Sequence, residues 1–379
     1  MAFSVPSCAK PYTLDIPDKD MSEWKQLLEL AKIGPDTWEG RQDDGRFGVS
    51  RQWLIDTKDY WLNKYDWRAQ EKDINSFPNY KTNIEDIDVH YIALFSDKED
   101  AIPIIFMHGW PGSFVEFLPM LKLICDKYPA KDLPYHIIVP SLPGYTLSSG
   151  GPVDRDWTLA DSARVLDSLM KKLGFSKYLA QGGDVGSFLA TTMAHSFDSC
   201  VGLHVTLISA DPPEGVALTQ TEKDALGRSA KWQVTGTAYA QEHAWRPSTI
   251  GLVLSSSPLA LLAWIGEKFL EWSDTTPSLD HILTNISLYW FTQGFPRSIY
   301  PYRVLFSTPP EQKPPFIDKP MGFSFFPYEL IPGIKAAIEK KGNLVFYGSH
   351  DKGGHFAALE LPKEFFGDVE EFVKVAWKV

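Results

Sequence analysis

Residues 178 to 190, YLAQGGDVGSFLA, constrain this chain more than any other stretch. An apolar run meets a glycine cluster around one polar residue, and small and apolar residues continue beyond it. That is the outline of a nucleophile elbow, the sharp strand-to-helix turn written G-x-S-x-G when the nucleophile is serine. Here the central residue is Asp184, with Gly182 and Gly183 before it and Gly186 and Ser187 after it. Such flanking glycines let a backbone bend where a Cβ would collide, whereas an aspartate that only caps a helix needs none. The helix N-terminus that follows is expected to keep the carboxylate ionised.

A carboxylate nucleophile makes an ester with carbon. It therefore suits displacement at an sp³ carbon better than attack on a carbonyl. The ester must then be hydrolysed, which calls for a base to activate water, an acid to orient the base, and an oxyanion hole. The base candidate is His355 in SHDKGGHFAALELP, just past the last strand the pattern predicts, with His350 as its competitor. Two acids are available to orient it. Glu329 in FSFFPYELIP lies on a separate loop and is favoured over Asp351, which shares the loop of His355. The turn HGWPGS, residues 108 to 113, points to the backbone N–H of Trp110, and that of Val185, as oxyanion donors. An alkoxide leaving group would need a neutral donor such as a tyrosine hydroxyl. Tyr239, Tyr289, Tyr300 and Tyr302 all qualify by position.

Around these motifs the pattern is that of an α/β protein. Apolar runs at IPIIFMHGW, YHIIVPSLPGY and KYLAQGGD alternate with amphipathic stretches such as DWTLADSARVLDSLMKKLG. Strands apolar throughout indicate a mostly parallel sheet covered by helices on both faces. KTNIEDIDVHYIALFS alternates like one strand, and DKDMSEWKQLLELAKI reads as a helix behind an aspartate cap. Residues from about 210 to 315 are helical and aromatic, which fits a cap over the strand C-terminal ends, where open α/β sheets bind ligands. The strands return at PMGFSFF and GNLVFYGS before a closing helix in EEFVKVAWKV.

The net charge of −11 argues against nucleic acid and anionic membrane surfaces as partners. The three cysteines form no metal-binding or disulfide pattern, and no secretory signal or membrane span is read. A soluble, cytoplasmic protein is expected. The 13 tryptophans are more than a core normally needs; a large aromatic core is the first reading of them and an apolar substrate pocket the second.

The segments GGDVGS, HGWPGS, FPYEL and GGHFAALE resemble those of the microsomal-type epoxide hydrolases, nearest their soluble fungal members. FPNYKTNIEDIDVHYIAL and RPSTIGLVLSSSPLALLAWIGEKFLEW extend the likeness over nearly the whole chain. The resemblance implies an α/β-hydrolase fold with an N-terminal meander over residues 1–80 and core over 81–210. A helical lid over 211–317 and the rest of the core over 318–379 would follow. It implies that this ether hydrolase turns a small apolar or aryl epoxide into a vicinal diol, with no cofactor and no metal, and that a homodimer forms. Asp184 would be the nucleophile, His355 the water-activating base and Glu329 its acid. The lid tyrosines that bind the epoxide oxygen would be Tyr239, seven residues before Arg246-Pro247, and Tyr302, which follows LYW and FPR, with Tyr300 its close neighbour. A haloalkane dehalogenase would share the elbow, but Val185 stands where its halide-binding tryptophan belongs. A serine esterase is disfavoured because Ser187 lies off the elbow. A non-catalytic binder would be expected to lack a catalytic member, and here every role has a candidate.

Overall fold

The computed structural model describes residues 3–307 and 315–378. A nine-stranded sheet runs through it in the order β1-β2-β3-β5-β4-β6-β7-β8-β9. The strands are β1 (Lys10–Pro11), β2 (Asn79–Ile84), β3 (Ile87–Leu94), β4 (Ile102–Met107), β5 (Tyr135–Pro140), β6 (Tyr178–Gly182), β7 (Cys200–Val205), β8 (Ile317–Phe325) and β9 (Gly342–Ser349). From β5 through β9 every pairing is parallel. The pairings β1 to β2, β2 to β3 and β3 to β5 are antiparallel. Every residue of β5 and β6 is buried, as expected for strands covered on both faces.

Three local readings need correction. KTNIEDIDVHYIALFS is not one strand but belongs to the hairpin of β2 and β3, which turns at Glu85 and Asp86 with φ of 51° and 67°. Two consecutive positive φ angles define the hairpin turn whose twist suits antiparallel strands, but Asn-Gly usually supplies it. The N-terminal segment is not only helical, since Lys10 and Pro11 add an edge strand beside β2. Finally, the helix Asp18–Leu30 starts behind Pro17 with no side-chain cap.

The helix Leu159–Lys172 meets its expected signals. Thr158 and Asp161 form a reciprocal capping box, and Gly174 beyond its end takes φ +95°. Seven helices between Gln220 and Ser307 separate β7 from β8. Residues 308–314, inside the expected lid, lie outside those described. The N-terminal helices reach this helical segment directly. Trp24 and Trp67 pack on Phe291 at ring distances of 6.1 and 5.1 Å, and the Tyr60 hydroxyl donates to Asp280 at 2.9 Å. Among the described residues no single helix is long and apolar enough to cross a membrane.

Candidate active site

Asp184 sits between β6 and the helix Val185–Ser196 with φ 46° and ψ −123°. A non-glycine residue held there costs about 1–3 kcal/mol, a strain found where a side chain must be aimed. The flanking glycines are enforced by contact. A Cβ on Gly182 would lie 2.0 Å from the carbonyl oxygen of Gly186, and one on Gly186 equally close to that of Met107. Asp184 makes no side-chain cap to its own helix. Ser187 is buried, and its hydroxyl donates back to the Gly182 carbonyl at 2.8 Å, so its lone pairs do not face the turn as a nucleophile's would.

The end of β4 supplies the facing surface. The Trp110 N–H donates to Asp184 Oδ1 at 2.8 Å, and the Val185 N–H also bonds the carboxylate. Gly109 is required beneath them, because its Cβ would stand 2.1 Å from that same Oδ1. His108 is held neutral by burial, with its pKa pulled down to about 4. Its Nε2 accepts from the Leu142 N–H at 3.2 Å, which leaves Nδ1 to donate to the Gly109 carbonyl at 3.1 Å.

His355 approaches from the loop after β9, its own N–H bonded to the Trp272 carbonyl. Its Nδ1 meets Glu329 Oε1 at 2.7 Å, and its Nε2 faces Asp184 Oδ2 at 3.5 Å. Glu329, on the turn after β8, is buried and also accepts the Leu330 N–H at 2.6 Å. Asp351 is exposed, and His350 is occupied by Asp368 at 2.7 Å while stacking on Phe326. The two oxygens of Asp184 are thus differentiated. Oδ1 is held by the Trp110 N–H, and Oδ2 faces the imidazole.

Burial and the neighbouring charges set the electrostatics of the pair. Burial raises the pKa of Asp184, against the opposing pull of His355 and of the Val185 and Trp110 N–H groups, so the helix end does not dominate. Burial alone would lower the pKa of His355, but Glu329, then Asp184 and Glu116, more than reverse it and raise it to about 9.

Tyr239, on the helix Ala238–Trp245, and Tyr302, on the helix Pro301–Ser307, come together above the carboxylate. Both are buried, their rings 5.7 Å apart and nearly perpendicular, and their hydroxyls share a hydrogen bond. Tyr239 stacks on Trp110 at 5.2 Å and Tyr302 meets its edge at 5.8 Å. Burial and the charge of Asp184 push Tyr239 above the ordinary phenol range, and burial raises Tyr302 most, so both are neutral donors at pH 7. Tyr300 points elsewhere, sharing a 2.6 Å hydrogen bond with Ser162, and Tyr289 donates to the Gly112 carbonyl at 2.9 Å.

Sequence reasoning missed a clamp and a carboxyl group. Asn285 donates to the Pro111 carbonyl at 2.7 Å and accepts from Ser113, so with Tyr289 the helix Leu279–Phe291 holds the HGWPGS turn from above. Glu116 folds back over that turn, its Oε2 2.2 Å from where a Cβ of Gly112 would stand. Neither has a local signal; both depend on contacts the chain reaches only when folded. Among the described residues no group of three or more His, Cys, Asp or Glu side chains is arranged to hold a metal ion.

An aspartate elbow, a histidine and a glutamate at the C-terminal ends of a mostly parallel sheet, beneath a helical insertion, define an α/β hydrolase. A family model described as the alpha/beta hydrolase fold matches residues 102–298, and one described as the epoxide hydrolase N terminus matches residues 9–117. Among solved structures, the epoxide hydrolase of Aspergillus niger superposes with a TM-score of 0.94 at 50% identity over 100% of both chains. The juvenile hormone epoxide hydrolase of the silkworm Bombyx mori gives 0.85 at 25% identity, over 97% of this chain and 95% of that one. Epoxide hydrolase 1 of Sus scrofa is 29% identical over 96% of this chain and 88% of its own. The chain belongs to the epoxide hydrolase family.

Proposed function

We propose that this hydrolase opens epoxides through a covalent ester on Asp184 and then hydrolyses that ester with water activated by His355. The observation that carries the reading is the unequal treatment of the Asp184 oxygens. Trp110 holds Oδ1 at 2.8 Å, whereas Oδ2 faces His355 Nε2 at 3.5 Å. Oδ2 attacks an epoxide carbon while Tyr239 and Tyr302 donate to the epoxide oxygen. The C–O bond of the ring breaks, and a tyrosine proton goes to the new hydroxyl.

Ester formation removes the negative charge of Asp184. That charge is one of the influences raising the pKa of His355, so its loss moves the imidazole toward the neutral base that the second step needs. Water then adds to the Asp184 carbonyl carbon, its proton going to His355 Nε2. The Trp110 and Val185 N–H groups face the oxygen on which negative charge collects. Collapse releases the diol, and the one proton that ester hydrolysis liberates restores the tyrosine.

The helices of residues 211–317 act in this scheme as the lid that carries the two tyrosines. The rings of Trp110, Tyr239, Trp272 and Tyr302 pack within 6.2 Å of a neighbour in this set. Such a box favours small apolar or aryl epoxides.

A His355→Gln variant tests the proposal. Incubated with an aryl epoxide, it is expected to gain the whole mass of the epoxide on the peptide containing Asp184. An unlabelled Asp184 peptide, with wild type still making diol, would remove the covalent step.

A further inference from the structure

Among the described residues, Glu116 is the one carboxyl group beside the triad that this scheme leaves without a task. It lies on the short 3-10 turn Phe114–Phe117 after the HGWPGS turn, half-buried, with its carboxyl folded back over Gly112. The same tight turn therefore carries two carboxyl groups. Asp184 packs on Gly109 and Glu116 on Gly112, each closer than a Cβ would permit. No protein donor or acceptor among the described residues bonds the Glu116 carboxyl, although it feels the charges of both His355 and Asp184. A half-buried carboxyl group beside a catalytic pair, bonded by no protein group and open to water, is placed to hold a water there.

We propose that Glu116 holds the hydrolytic water, so that it, and not His355 alone, aims the attack on the ester of Asp184. The inference rests on the covalent reading above. One water proton points to His355 Nε2 and the other to the Glu116 carbonyl oxygen, which leaves an oxygen lone pair facing Cγ of Asp184. Attack forms the bond from water oxygen to Cγ and sends one proton to His355. The bond from Cγ to the alkyl oxygen then breaks, and the departing alkoxide takes that proton. The second water proton leaves the regenerated Asp184 carboxyl for the tyrosinate of the first step. Glu116 gains and loses nothing; it only accepts a hydrogen bond.

Its protonation suits the task. Burial pushes the Glu116 carboxyl up, His355 draws it down and Asp184 raises it again, to about 8, so it is mostly neutral at pH 7. A neutral group orients water without placing a second negative charge beside the oxyanion.

The test separates the two half-reactions in Glu116→Leu and Glu116→Gln, following ester by intact mass and diol in single turnovers. In the leucine variant, ester formation is expected within about threefold of wild type, while ester hydrolysis falls about ten- to hundredfold, the loss of one hydrogen bond to a reacting group. Ester then accumulates. The glutamine variant keeps an acceptor and is expected to lose less, and it also lacks the pH inflection that titration of Glu116 gives wild-type hydrolysis. Half-reactions slowed equally, or both unchanged, in a variant that melts like wild type would overturn the proposal. Should the leucine variant not fold, a glutamine variant whose pH profile of ester hydrolysis is that of wild type overturns it as well. Failure of His355→Gln to form any ester would instead remove the covalent reading beneath it.

Discussion

The two walls of the site are built by opposite means. The sheet side, with Asp184, Gly109 and the N–H of Trp110, is fixed by backbone geometry so tight that several positions admit no side chain. The lid side, with Tyr239 and Tyr302, is fixed by aromatic packing between helices far apart in sequence. Strain and steric exclusion set atoms to fractions of an ångström, which charge-developing chemistry requires. Ring packing sets direction and excludes water but tolerates adjustment, which suits substrates of varied shape. Changes on the sheet side are therefore expected to abolish structure or chemistry, and changes on the lid side to grade it.

The largest effect is expected from Gly186→Ala. Its Cβ would meet the Met107 carbonyl oxygen at 2.0 Å, a backbone clash with no flexible group to yield. Chemical denaturation should show a loss of at least about 3 kcal/mol. A variant as stable as wild type would break the contrast between the walls.

Next comes Glu329→Gln. It removes the charge of Glu329, the largest of the influences that lift His355 toward a pKa of about 9. Ester hydrolysis is expected to slow by about 10²–10⁴-fold. Because the raised pKa is that of the protonated imidazole, the limb that reports His355 should move to lower pH. An unmoved limb would contradict the pairing.

On the lid, Tyr302→Phe is expected to slow ester formation about ten- to hundredfold, since Tyr239 remains as a donor. Tyr300→Phe is expected to change it by less than about threefold, because its hydroxyl is engaged with Ser162. Rapid-mixing measurement of ester formation decides both, and a reversed order would exchange the two assignments.

The same contrast explains what was legible beforehand. The elbow could be read because steric exclusion leaves glycine as its trace, at Gly182 and Gly186 on the two sides of Asp184. His355 and Glu329 could be read because each follows an apolar strand at the position where the fold needs it. Tyr302 and Tyr300 are two residues apart, and spacing alone does not separate them. Only their partners, Tyr239 for one and Ser162 for the other, do. Asn285 reaches Pro111 across 174 residues, and Glu116 matters only because a turn folds beneath it. The hairpin at Glu85-Asp86 was hidden because Glu85 is not a usual left-handed residue and no glycine marks the turn. The direction of the Asp184 pKa shift was not legible because the helix end is a local feature, whereas burial, the larger influence, belongs to the folded whole.

The central claim is that an oxygen of Asp184, not of water, is the first to reach the epoxide carbon. A single turnover in ¹⁸O-enriched water, with enzyme in excess over epoxide, tests it most directly. The account predicts a first diol free of the isotope and one ¹⁸O retained in the peptide containing Asp184. Diol that carries ¹⁸O from the first turnover, with Asp184 unlabelled, would mean that water attacks the epoxide directly and would contradict the account.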